Sequence, residues 1–145
     1  MTITFTCDAE IIAIGEGVVA RTLPKPDWTH AAHFAAAVWL IAGQSELVAE
    51  RDMPGLIRAY NTATNVANTD TEGYHETITL ASLRATRAFL DGLPGGTPLF
   101  EACNALLVSN LGRRDWLLVY WSRDRLFSAQ ARRGWVEPDL QALPF

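Results

Sequence analysis

All three histidines of the chain fall in two short boxes, Trp28-Thr29-His30-Ala31-Ala32-His33 and Gly73-Tyr74-His75-Glu76-Thr77. Imidazole is the side chain best suited to bind a metal or carry a proton near neutral pH, so this concentration is the chemical signal of the sequence. On a helix, His30 and His33 stand about 60° apart around the axis, and Ala37 lies between them one turn onward, where its small side chain leaves a recess beside the rings. Both rings sit in a first helical turn, where unpaired amides and the helix dipole disfavour added positive charge. Neutral imidazole, the metal-binding form, is favoured there. On the second box, His75 is followed by Thr79, Ser82 and Thr86, a hydroxyl stripe at helical spacing that needs polar partners, which the histidine recess could supply.

His30, His33 and His75 converging on one divalent ion, with an open position for water or substrate, would match the ligand set of catalytic zinc; histidines with a carboxylate also suit iron, nickel or manganese. Such an ion would polarise an oxygen or activate water, which is hydrolase or lyase chemistry, and zinc–nitrogen distances require the three rings to lie within about 5 Å of one another. Glu76 points about 100° away from His75 on a helix, so it is a weak candidate for general base, and Asp70 or Glu72 of the preceding loop is better placed as a co-ligand. Asn61, Asp70 and Tyr74 are candidates to orient the imidazoles from behind or to touch a polar ligand. Two other readings compete. In one, the same residues line a metal-free, pH-sensitive pocket for a small molecule or a partner; in the other, the histidines and Thr29 are core hydrogen-bonders and caps.

The elements that must position these residues are helical. Residues 29–43 form the clearest helix, with Thr29 as N-cap and Gly43 as terminator. No charge occurs between Asp27 and Glu46, so this helix is apolar all round and belongs at the centre of a bundle, with Trp39 and Leu40 buried. Further helices are expected over 8–21, capped by Asp8 and weakened by Gly15 and Gly17; over 52–65, with Pro54 in its first turn; over 69–90, opened by the capping box Thr69-x-x-Glu72; over 98–110; and over 124–133. Residues 116–120 are apolar without a readable period, and the tail 135–145 is an extended strap. The expected fold is therefore all-α, a single domain over 1–145 with about six helices.

Composition supports one folded domain: 145 residues, 49% hydrophobic and 19% charged, with five tryptophans. A net charge of −4 without a basic stripe excludes nucleic acid as partner, and no apolar run approaches a membrane span. The amino terminus lacks the basic start of a signal peptide, and Cys7 and Cys103 have no paired spacing, so a reduced, cytoplasmic protein is expected, alone or as a homo-oligomer. Arginines alternate with aromatics from Trp121 to Trp135, a pattern that could hold an anion through guanidinium forks or simply pair with Asp115, Asp124 and Glu137.

The two boxes, together with Arg58-Ala59-Tyr60-Asn61 and Leu126-Phe127-Ser128, resemble a family of short bacterial proteins over most of the chain. The resemblance implies no particular activity. Metal-binding helical bundles of the DinB type distribute their three histidines differently and offer an analogy of architecture alone.

Overall fold

Four of the five long helices begin where a side chain accepts a backbone amide at the helix start. In the computed structural model, which describes residues 3–145, Thr29 accepts the amide of Ala32 at 3.1 Å and opens α2, His30–Val38. Helix α1, Asp8–Ala20, precedes it. Asp8 does not cap its own helix; its carboxylate accepts the amide of Phe100 at 3.0 Å and caps α5, Leu99–Val108, which follows Pro98. Helix α3, Ala49–Ala63, starts three residues ahead of the expected position because Asp52 reaches back to the amide of Val48 at 2.7 Å.

Helix α4, Glu76–Asp91, corrects the reading of the second box. Thr69 and Glu72 close a backbone turn with each other, and Gly73 then takes φ +81°, a conformation that ends any helical run and favours glycine. His75 itself is the N-cap.

Beyond α5, single 3-10 turns at Asn110–Gly112 and Trp116–Val119 lead to α6, Arg123–Leu126, and α7, Ala129–Arg133. The single helix expected over 124–133 is split because Ser128 caps a new start at the amide of Ala131, as Ser122 does at Arg125. The tail is a strap, pinned by Trp121 to the Val136 carbonyl, by Leu140 to the Tyr120 carbonyl and by Arg84 to the Phe145 carbonyl. Seven α-helices and no strand make up the described residues, an all-α architecture.

Two buried clusters form the interior. The larger gathers Ile11, Phe34, Val38, Trp39, Leu40, Leu83 and Leu106 around α2, which packs against α1, α4 and α5 as an uncharged helix must. The smaller surrounds Trp121 with Ala81, Ala85, Trp116, Leu126 and Val136. Helix α4 serves both. The last turn of the central helix, Trp39–Gly43, widens to a π-helix, and the Trp39 indole lies against two glycines: a Cβ on Gly15 would stand 2.3 Å from it, and one on Gly43 2.8 Å. That close approach explains Gly15 inside α1.

Three substitutions test this packing by denaturant unfolding. Leu40→Ala should cost on the order of 2–5 kcal/mol through the cavity it leaves. Gly15→Ala should cost about 1–3 kcal/mol because the fixed indole must shift. Gly55→Ala, where an added Cβ meets nothing within 4 Å, should instead stabilise α3 by about 0.5–1 kcal/mol. Equal signs for the two glycine variants would refute the Trp39 contact.

Candidate functional site

His75 is buried, and both its ring nitrogens are engaged. Nδ1 accepts the amide of Ile78 at 3.1 Å, and Nε2 donates to the carbonyl of Leu126 at 2.7 Å. A backbone amide can only donate and a carbonyl can only accept, so the ring is the neutral Nε2–H tautomer. The rest of the box works similarly. The Thr77 hydroxyl donates to the Gly134 carbonyl and accepts the Val136 amide, while the Tyr74 hydroxyl donates to Glu76. The second box thus clasps the start of α4 to α6, α7 and the strap.

The first box has a different geometry. His30 donates from Nε2 to the carbonyl of Gly112 at 2.8 Å, and its ring meets Phe34 edge-on. His33 donates from Nδ1 to the carbonyl of Thr29 at 2.7 Å and stacks on Trp28, with centroids 3.7 Å apart. The Thr29 carbonyl therefore selects the Nδ1–H tautomer and leaves His33 Nε2 with a lone pair and no hydrogen-bond partner among the described residues.

Both rings line a cavity of about 660 Å³. Ala37 lines it too, so the recess expected beside the histidines exists, and Thr79 and Ser82 of the α4 stripe face the same space. Thr86 does not; it is buried and returns its hydroxyl to the Ser82 carbonyl. The apolar walls come from Phe34, Met53, Ile57, Leu83, Trp116 and Leu126, and Arg114 and Arg123 stand among the lining residues. His33 is exposed as a residue, yet its ring lies among the mainly apolar residues that line this cavity. Burial accordingly holds its pKa below the ordinary value, with His30 adding to the effect and the Thr29 carbonyl opposing it. A neutral imidazole with a free Nε2 can accept a hydrogen bond or a proton from a bound molecule.

Among the described residues, no three His, Cys, Asp or Glu side chains are grouped as a metal ion would need. The structure brings His30 and His33 to one cavity, and His75 stands behind its wall, bonded to the backbone of the lining residue Leu126. For His75 to become a ligand it would have to release either the α4 cap or the Leu126 carbonyl. Glu76, the candidate base, is occupied by Tyr74 and does not line the cavity. Asn61 donates to Asn68, whose side-chain oxygen also accepts the Tyr74 amide, so Asn61 secures the loop before the box. Asp70 pairs with Arg133 on the surface. Arg123 comes from the arginine–aromatic stretch read as a possible anion holder, whereas Arg114, Met53 and Ile57 are among the lining residues that the sequence did not single out; an exposed arginine and an amphipathic helix face look the same with or without a cavity nearby.

No family model, curated protein or solved structure matches the chain.

The clasp predicts a pH signature. The pKa of His75 lies below the ordinary 6.5, first because burial penalises the charged ring; the Leu126 carbonyl works against this and Arg132 adds to it. The unfolded chain then takes up the proton first, so the contribution to stability is complete above about pH 6.5 and is lost as pH falls from there toward the folded pKa. His75→Ala should cost on the order of 2–4 kcal/mol, the sum of a lost cap and an orphaned buried carbonyl. His75→Asn, which can keep the cap and does not titrate, should show a shallower stability loss than wild type between about pH 7.5 and pH 5.5. Parallel pH profiles in urea unfolding would contradict the assignment.

Proposed function

We propose that the protein binds a small, largely apolar molecule with an anionic end, without a metal, and that His33 accepts a hydrogen bond or proton from it. One observation carries this reading: a cavity of about 660 Å³ with mainly apolar walls and a few convergent polar groups, one of them an imidazole whose free nitrogen has no partner among the described residues. The volume is in the range of about 300–1,000 Å³ that suits small ligands. The charge of the lining favours an anion. Arg114 and Arg123 have no carboxylate within ion-pair distance among the described residues, and the one acidic lining residue, Asp115, is taken by Arg113. An apolar body against Phe34, Ile57 and Leu83 with its charged end toward the arginines would satisfy both parts of the wall. The two cysteines are unpaired, as a cytoplasmic protein's would be, and no helix among the described residues is long and apolar enough to cross a membrane.

Anilinonaphthalene sulfonate, which joins fused apolar rings to one sulfonate, is a suitable probe. It should bind saturably at one equivalent to the folded protein, and Arg123→Glu and His33→Phe should each weaken it by about tenfold or more, the worth of one charge-assisted or buried hydrogen bond. Binding that neither substitution changes would remove the cavity from the account. One equivalent of tightly held zinc, iron, nickel or manganese in the purified protein, lost together with probe binding on chelation, would instead favour a metal-dependent hydrolase or lyase built on His30, His33 and His75.

A further inference from the structure

We propose a second binding site, for a phosphate group, in a cleft of about 220 Å³ beside the loop that carries the second histidine box. The cleft shares no lining residue with the larger cavity. Three guanidinium groups face it, Arg58 from α3 and Arg132 and Arg133 from the end of α7, against a single carboxylate, Asp70. The lining therefore carries an excess of two positive charges, which matches a phosphate dianion better than a carboxylate.

The arginines are already held in place. Arg132 donates from Nη1 to the Gly73 carbonyl at 2.9 Å, Arg58 lies over the Tyr74 ring with its central carbon 4.3 Å from the centroid, and Arg133 is held by Asp70. Each of these contacts leaves donors unused. Arg58 makes no side-chain hydrogen bond among the described residues, and Arg132 uses only one of its three nitrogens. A guanidinium has five N–H donors in a planar fork that fits two oxygens of a phosphate at once, and holding the fork beforehand lowers the entropy lost on binding. A clamp on the Gly73 turn would need Arg132 alone. Arg58 is the residue that such a structural role does not explain.

Asp70 identifies the site by its opposition. It orients Arg133, yet its own charge repels an incoming anion, so its neutral counterpart should bind better. A loss of fold cannot imitate that gain.

Titrating ¹⁵N-labelled protein with inorganic phosphate, at an ionic strength held constant with chloride, tests the proposal. Saturable shifts are expected at the amides of Asn68, Gly73 and Tyr74, with the amide of Leu40 unmoved. Arg58→Gln should weaken binding by about tenfold without disturbing the remaining spectrum, and Asp70→Asn should tighten it. A parallel titration with glycerol phosphate separates the sources: tighter binding than inorganic phosphate assigns the site to a phosphate ester, and weaker binding assigns it to the free ion. Shifts that grow linearly without saturation, that chloride alone reproduces, or that Arg58→Gln leaves unchanged would overturn the proposal.

Discussion

The imidazole of His75 must accept at one nitrogen and donate at the other, and the joining of the two halves of the molecule depends on its remaining neutral. Its acceptor nitrogen starts α4, the helix that contributes to both buried clusters and carries Thr79 and Ser82 to the cavity. Its donor nitrogen holds the backbone of Leu126, another residue of the cavity wall. A proton added to Nδ1 would turn the amide of Ile78 against a second donor, so burial and function of this ring require the same charge state. Thr77 extends the clasp to the strap, its hydroxyl donating to the Gly134 carbonyl and accepting from the Val136 amide.

His30 and His33 gain their freedom from the same kind of constraint. Each gives one N–H to a backbone carbonyl, which fixes the ring and the tautomer, but neither has its second nitrogen bonded among the described residues. The carbonyl bonded to His33 lies in its own helical turn, whereas that bonded to His30 belongs to Gly112 after α5. Gly112 must be glycine there, since a Cβ would stand 2.0 Å from the Leu107 carbonyl oxygen. The cavity thus rests on α2, a helix that the interior surrounds and that the Trp39 indole seats between Gly15 and Gly43.

Much of this was legible in the sequence where the physics is local. The absence of charge between Asp27 and Glu46 placed α2 at the centre, Thr29 marked its start, and the 60° offset of His30 and His33 around Ala37 located the recess that the cavity occupies. Two features were not legible. Thr69-x-x-Glu72 has the form of a capping box, and only the positive φ of Gly73 moves the helix start to His75, a residue type outside the usual set of caps. The partners of His30 and His75 are main-chain carbonyls 82 and 51 residues away, and a carbonyl leaves no mark in the amino-acid sequence. Three histidines therefore suggested one metal centre, because their alternative partners cannot be read from residue types.

The central claim is that His75 and His33 are held in opposite tautomers for different ends. Long-range ¹H–¹⁵N correlation spectra of the imidazole rings test it most directly, because they report which nitrogen carries the proton. The account predicts an Nε2–H ring for His75 that stays neutral to below its ordinary pKa, and an Nδ1–H ring for His33 whose Nε2 alone responds when the cavity is filled. His33 and His75 titrating together near pH 6.5, or all three rings shifting in step with one equivalent of zinc, would contradict it.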